Sequence, residues 1–386
     1  MIDFTFTEEQ TMLRDMVKKF TDNEVRPLAH RNDKEPNVDL VKQIFKKGAE
    51  LGLTGIPFPE SYGGAGMGEI GYCILLEEIS SVCASTGVTF GAHIGLCGMS
   101  ILIGGNEAQK QKYLTPLAKG EKIGAYGLTE PGAGSDAANL QLSARPDGDH
   151  FVLNGTKLWI TNGDIADIVV VYTLTDPALK ARGGITAFIV ETNTPGFAAN
   201  RIHDKMGLRG SATAELVFQD LRVPKENMLG PLGRGFQIAM ETLDESRLSL
   251  AAACLGAAKE LLTMSTDFAK KRAAFGKPIA TFQAIQWMLA DMAADIYQME
   301  SIVYRTAWLF DQGKKIPREG AICKLFCSEA LGRIADKAVQ IHGGNGFMGE
   351  HPVERYYRDA RINRIFEGTN EIQRMVIAED VLKKGV

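Results

Sequence analysis

The chain runs to 386 residues, with 43 Lys and Arg against 47 Asp and Glu, a net charge of −4, and 45% hydrophobic against 23% charged residues. That length fits two to three domains of roughly 100 to 200 residues, and the balance of apolar and charged residues excludes disordered, collagenous and coiled-coil fibrous chains. Lys and Arg are scattered rather than bunched, which argues against a reader of phosphate backbones, so no nucleic-acid partner is expected.

Thr7-Glu8-Glu9-Gln10 reads as a helix start with a capping box. No charged and apolar leader precedes it, so the fold is expected to begin at once in a cytoplasmic protein. No stretch approaches the ~18 to 20 apolar residues of a membrane span, and no membrane insertion is expected. Up to about Lys122 apolar residues recur at helical spacing: Leu13, Met16, Val17 and Phe20 make one stripe, and Leu40, Ile44, Phe45, Leu51 and Leu53 mark another behind a cap at Asn37. Residues 1–122 therefore predict a helical domain. The glycine-rich run Gly63 to Gly68 lacks the spacing of a dinucleotide-binding loop and follows a helix, and no P-loop signature occurs.

Residues 123–235 change texture to β-branched runs at Phe151 to Leu153, Thr156 to Thr161, Ile168 to Thr175, Ile185 to Glu191 and Ala214 to Phe218. Asn154-Gly155 predicts a hairpin turn, because both residues tolerate positive φ. Neighbours paired in this way predict an antiparallel sheet without crossover helices. Residues 236–386 return to helical periods that are long and rich in Ala, Leu and Met, notably Phe236 to Arg272 and Phe282 to Gln312, as in a four-helix bundle that also forms a subunit interface. The fold class is thus α+β and mainly helical, in the order α, β, α. The six cysteines are dispersed, with only Cys323 and Cys327 close, and neither a disulfide nor a metal site is expected.

Four segments carry chemistry. Tyr126 to Asp136 combines hydroxyls with small residues whose backbone N–H groups can approach a ligand. Lys157 to Asn162 puts Trp159 and Thr161 two residues apart on a strand, suited either to a flat heteroaromatic ring or to simple core filling. Arg272 to Gln283, followed by Gln340 to Gly346, offers a guanidinium and amides for a pyrophosphate, or a helix-end ion pair. In Phe366 to Gln373 the Glu367 carboxylate lies at the mouth of a helix beside Ile365 and Phe366. An apolar setting raises a carboxyl pKa, as a base for a weakly acidic C–H requires, while a capping role is the alternative.

In this order and at these separations, the four segments resemble the acyl-CoA dehydrogenase family. The resemblance covers essentially the whole chain, from Thr7 to Val381, and includes Arg209-Gly210-Ser211 and Pro224 to Asn227. It implies an FAD-dependent enzyme that converts an acyl-CoA to a trans-2-enoyl-CoA, passes electrons to an electron-transferring flavoprotein, and binds FAD across a subunit boundary of a homo-oligomer, a homotetramer by resemblance. Carried over by position, Tyr126, Leu128, Thr129 and Ser135 line the flavin, Trp159 covers it and Thr161 bonds near its N5. Arg272, Phe275 and Gln283 reach the adenine half of a neighbouring subunit's FAD, Gln340, Gly343 and Gly344 close that site, and Thr369 and Glu371 complete the cofactor contacts. Ser135, Asp244, Arg247 and Gly368 contact substrate, the first three through its CoA part.

The resemblance makes Glu367 the catalytic base. Members that place the base before the arginine of the third-domain helix would have it at Ser246, which cannot act as one, and Glu241 and Glu245 are the acidic rivals nearby. An acyl-CoA oxidase or flavin monooxygenase on the same scaffold, and a DNA-binding relative, are the alternative functions. Phe90, Gly91, Ala92, His93, Leu96 and Glu241 are expected at the deep end of the acyl pocket. No arginine stands at Gly87, roughly where glutaryl-specific members keep one, so short or branched monocarboxylyl groups are expected.

Overall fold

The computed structural model describes residues 5–385; Met1 to Phe4 and Val386, which the outer domain limits include, lie outside the described residues. Helix α1 (Glu8–Phe20) starts at the expected capping box, Thr7 and Gln10 each accepting the other's backbone N–H, and buries Leu13, Val17 and Phe20. A π turn over Thr21–Val25 carries the chain into α2 (Arg26–Lys34). Asn37 Oδ1 caps α3 (Val38–Glu50). Next come α4 (Gly68–Val82), α5 (Ala84–Gly91), a π stretch over Ala92–Gly98, α6 (Met99–Gly104) and the short α7 (Glu107–Gln109) and α8 (Thr115–Ala118).

The middle zone is one eight-stranded sheet of β1 (Gly124–Gly127), β2 (Ser143–Asp147), β3 (His150–Thr161), β4 (Ile168–Leu174), β5 (Ile185–Glu191), β6 (Phe197–Arg201), β7 (Thr213–Pro224) and β8 (Met228–Leu229). Its order is β6-β7-β3-β2-β4-β5-β8, with β1 beside β4. Two sequence expectations need correction. The pairs β1–β4 and β2–β4 are parallel, at Gly124↔Ile168 and Ser143↔Leu174, so the sheet is mixed. Strands β1 and β2 meet the same edge of β4 end to end, and the loop between them is an excursion from that edge. Nor is Asn154-Gly155 a turn. Strand β3 runs straight through it, and the hairpin closes instead at Gly148 (φ +62) beside the Asp147↔His150 pair. Asn154-Gly155 forms a bulge against β7, stabilised by Asn154 Nδ2 donating to Asp220 Oδ1 (3.0 Å) and Asp220 N–H to Asn154 Oδ1 (2.9 Å).

The third zone opens with α9 (Gly235–Lys271), followed by a small ribbon of β9 (Ala273–Ala274) and β10 (Lys277–Pro278). Helices α10 (Gln283–Asp311), α11 (Pro317–His342), α12 (Gly344–Phe347), α13 (Val353–Ala360) and α14 (Asn370–Lys384) complete the chain. Two helical stretches, Ala84–Gly104 and Gly235–Lys271, are long and apolar enough by length and composition to cross a membrane, contrary to the sequence expectation. Each is 67% buried in its apolar window, which accounts for the composition: these are core helices. All six cysteines are free and buried.

Three cores result. One joins α1 to α6 with a face of the sheet, from Leu13 through Tyr172 to Ile238, so the first two zones share a core. A second fills the bundle around Leu255, Met299 and Ile334, and a third covers the sheet's other face around Phe188 and Phe218. Helices α4 and α9 touch backbone to backbone at Gly256, where an added Cβ would lie 1.9 Å from the Glu77 carbonyl oxygen. Gly256→Ala must separate the two helices, with an expected loss of about 1 to 3 kcal/mol in urea unfolding; an unchanged midpoint would show that the contact tolerates a methyl group.

Candidate functional site

A cavity of about 330 Å³ opens where α4, α5 and α9 meet the sheet edge and the turn before α14. Its wall brings together Tyr126, Leu128, Thr129, Ser135, Trp159, Thr161, Arg247, Glu367 and Gly368, which are separated by up to most of the sequence. Most of the remaining wall is apolar, including Leu76, Leu96, Leu243, Leu250 and Phe366.

Glu367 and Gly368 are consecutive left-handed residues, φ +57 and +87, between the 3₁₀ turn Arg361–Arg364 and the N-cap Thr369. For a glutamate this conformation is strained and has to be held. Gln373 Nε2 donates to the carbonyls of Gly368 (2.9 Å) and Glu367 (3.3 Å), and Lys324 Nζ donates to the Gly368 carbonyl (2.8 Å) and to Asn370 Oδ1 (2.8 Å). The reversal frees the Glu367 N–H, which makes no hydrogen bond among the described residues. One carboxylate oxygen accepts from Ser246 Oγ at 2.8 Å. Burial raises the Glu367 carboxyl to about 7, against the opposing pull of the Ser246 hydroxyl and the Lys324 and Arg247 charges. Such a group holds and releases a proton near neutrality.

The loop from β1 to β2 is braced from beneath. Lys157, fully buried, donates to the Leu128 carbonyl (2.9 Å) and to Glu130 Oε1 (2.7 Å), and Glu130 also accepts the backbone N–H groups of Gln141 and Leu142. This anchors the loop at both ends and leaves Thr129 and Ser135 facing the cavity. A second irregularity of β3, between Lys157 and Ile160, puts Trp159 at φ +59 with its indole 61% exposed on the cavity side. Trp159 is therefore a ring wall and not core filling. The Tyr126 phenol reaches the Ala239 carbonyl (3.4 Å) and packs on Tyr172.

The acidic rivals lie off the cavity wall. Glu241 accepts from Gln237 Nε2 (2.9 Å) along the surface of α9, and neither it nor Glu245 lines the cavity. Burial, then Asp244 and Glu241, push the Glu245 carboxyl up to about 8. Asp244 is also off the wall, but it accepts from Arg247 Nη1 (2.7 Å) and orients that guanidinium at the cavity. At the deep end Gly91, Ala92 and Leu96 line the space as expected, whereas Phe90 and His93 do not. Phe90 packs on Phe45 in the helical core; His93 accepts the Gly124 N–H at Nδ1 and donates from Nε2 to the Leu117 carbonyl.

Arg272, Phe275, Gln283, Gln340, Gly343, Gly344, Thr369 and Glu371 lie outside this cavity. Phe275 is 95% exposed, at φ +52 in the β9–β10 ribbon, and Arg272, Gln283, Gln340, Gly343 and Gly344 are exposed as well. Thr369 caps α14, accepting the Ile372 N–H. Sequence reasoning passed over Lys324, Gln373 and Lys157. A lysine at an apolar helical position, as at 324 within Cys323 to Phe326, was the available signal.

Three sequence models of the acyl-CoA dehydrogenase family match: its N-terminal domain over residues 7–121, its middle domain over 125–221 and its C-terminal domain over 233–382. The chain is 44% identical to the short-chain specific acyl-CoA dehydrogenase of Clostridium acetobutylicum over 99% of its length and 100% of that protein. Butyryl-CoA dehydrogenase from Megasphaera elsdenii superposes with a TM-score of 0.95 at 41% identity, covering 99% of this chain and 100% of that one. A chain in the structure described as the electron transferring flavoprotein of Acidaminococcus fermentans gives 0.96 at 44%, with 99% and 100% covered. Acyl-CoA dehydrogenase from Bacillus anthracis, complexed with FAD, gives 0.94 at 40%, covering 100% of this chain and 68% of that one.

The raised carboxyl of Glu367 has a cost to folding. Its folded value of about 7 lies above the unfolded value near 4.5, so the native state keeps a proton that the unfolded chain releases between those values. Stability contributed by the protonated form is complete below about pH 4 and lost as pH rises through 7. Glu367→Gln should therefore raise the cofactor-free melting temperature relative to wild type at pH 8 and not at pH 4.

Proposed function

The chain belongs to the acyl-CoA dehydrogenase family, and we propose that Glu367 is its catalytic base and a short-chain acyl-CoA its substrate. It is an FAD-dependent oxidoreductase that dehydrogenates an acyl-CoA thioester between Cα and Cβ and passes the electrons to an electron-transferring flavoprotein. The residues present fit the cofactor: an exposed indole face at Trp159, hydroxyls at Thr129, Ser135 and Thr161, and a rigid loop of small residues converge on one side of the cavity. Bound there, FAD supplies the acceptor for the hydride leaving Cβ.

The observation that carries the assignment is the Glu367 turn. Its carboxylate is held by Ser246 in an apolar wall, ionises near neutrality, and shares its residue with an unpaired N–H. The carboxylate takes the α proton, while the N–H donates to the thioester oxygen as negative charge develops on it. Ser246, at the alternative base position, instead orients Glu367. Arg247, fixed by Asp244, serves the CoA part together with Ser135 at the mouth.

A short chain is supported by the names of the relatives and by the lining of Leu96, Leu243 and Leu250. Gly87, on the cavity wall beside Ser80, offers no cation to a second carboxylate, in keeping with a monocarboxylyl substrate. The exposed set of Arg272, Phe275 and Gln283 is assigned to the adenine half of FAD in a second copy, making the active unit a homo-oligomer, a tetramer by family resemblance.

Glu367→Gln should retain FAD and bind butyryl-CoA while anaerobic flavin bleaching slows on the order of 100 to 10,000-fold or more. Glu245→Gln should stay within about tenfold of wild type on the same general-base scale; rapid bleaching by the first variant, or loss in the second, moves the base. Arg272→Ala should weaken FAD retention and subunit association together in sedimentation velocity, and a stable monomer holding stoichiometric FAD contradicts the shared site.

A further inference from the structure

We propose that Lys324 is a positioning residue for the base, a buried ammonium that holds the Glu367–Asn370 turn and supplies the counter-charge facing its carboxylate. This rests on Glu367 being the base. Lys324 is fully buried in the first half of α11, and among the described residues both of its acceptors lie in the turn: the Gly368 carbonyl and Asn370 Oδ1, each at 2.8 Å. Asn370 is fixed in turn by its Nδ2 donating to Ser328 Oγ at 3.0 Å, so α11 and the first turn of α14 form one polar clamp around Gly368. A side chain at Gly368 would meet Gln373 Nε2 at 2.7 Å, so the clamp also selects glycine there.

A clamp made only of neutral donors and acceptors would hold the same turn, so the charge calls for its own explanation. Among the described residues no carboxylate lies within 4 Å of Lys324 Nζ. An unpaired buried ammonium is costly, and the largest favourable interaction that offsets this burial is with Glu367. Other groups facing Glu367 cannot replace it. From α9, Arg247 is already paired with Asp244 at 2.7 Å, Ser246 is neutral, and the Cys254 thiol is pushed up to about 12 by burial. Tyr72 from α4 and Tyr126 from β1 are buried phenols raised well above their ordinary value, and therefore uncharged. Glu371, on α14, acts on Lys324 but is exposed. Lys324 thus opposes the desolvation of Glu367 and keeps a useful fraction ionised at neutral pH, while its two hydrogen bonds fix the direction from which the carboxylate approaches Cα.

The test uses the FAD-loaded enzyme and anaerobic flavin reduction by butyryl-CoA across pH, with flavin absorbance and butyryl-CoA affinity confirming an intact site. Lys324→Met removes the charge and the clamp. Lys324→Gln removes the charge but keeps a neutral donor facing the turn. Both should move the acidic limb of the reduction rate to higher pH by about one unit, slowing the reaction roughly tenfold below the limb and much less above it. Gln373→Leu removes a turn donor without touching charge and should lower the rate at every pH while leaving the limb in place. If Lys324→Met does not fold, Lys324→Gln decides alone. An unmoved limb in the charge variants, beside a silent Glu367→Gln, would overturn the role of Lys324. Rapid bleaching by Glu367→Gln would overturn the base assignment and this proposal with it.

Discussion

The Gly368 carbonyl accepts from Lys324 and from Gln373 at once, and on that pair of hydrogen bonds depends the left-handed turn that aims Glu367 into the cavity. A carboxylate in an apolar wall has two failings: water leaves it, which favours the proton, and nothing by default fixes its direction. The turn answers the second through buried donors from α11 and α14. Ser246 on α9 and the cation of Lys324 answer the first in part, and the carboxyl settles near 7, between a permanently ionised and a permanently protonated state. Three helices from two ends of the bundle are therefore tied to one residue.

Lysines wholly or partly removed from water serve the same purpose in other loops. Lys157 under the sheet edge holds Leu128 and Glu130, and Lys205 donates to the Ser211 carbonyl (2.6 Å) and Thr213 Oγ1 (2.9 Å) in the loop before β7. That loop is also pinned to α13 by the Leu208 N–H on Asp359 Oδ1 at 2.6 Å. In all three cases desolvation lowers the ammonium to about 8. An ammonium with its donors spent on carbonyls converts flexible loops into fixed walls, which a cavity that must orient both a flavin and a thioester requires.

Helix α9 links these parts because each of its faces meets a different surface. Arg247 and Leu250 turn toward the cavity and Ser246 toward Glu367, while burial, helped by the field of Glu245, keeps the Glu69 carboxyl well above its ordinary range. Further along, Gly256 lets α4 approach to backbone contact. Its hydropathy is high enough to imitate a membrane span for this reason: a helix enclosed on several sides has little polar face left.

Local pattern determined a good deal of this protein. The capping boxes, the helical stripes and the change from period 3.6 to β-branched runs depend on neighbours within a few residues, and they marked the α, β, α order; the segments around Tyr126, Trp159 and Glu367 that stood out in the sequence meet at one cavity. Resemblance of those segments to a family supplied the cofactor and the reaction. Tertiary structure alone decided that Asn154-Gly155 is a bulge, because Asp220 on a distant strand satisfies Asn154 where a turn would have used its own backbone. It alone put Phe90 and His93 into the core beside Phe45, and left Arg272 and Phe275 on the outside, beyond reach of the cavity in their own chain. Lys324 was hidden for the same reason. Its partners Gly368 and Asn370 are 44 and 46 positions away, and no periodicity in the sequence records which helix will fold over which turn.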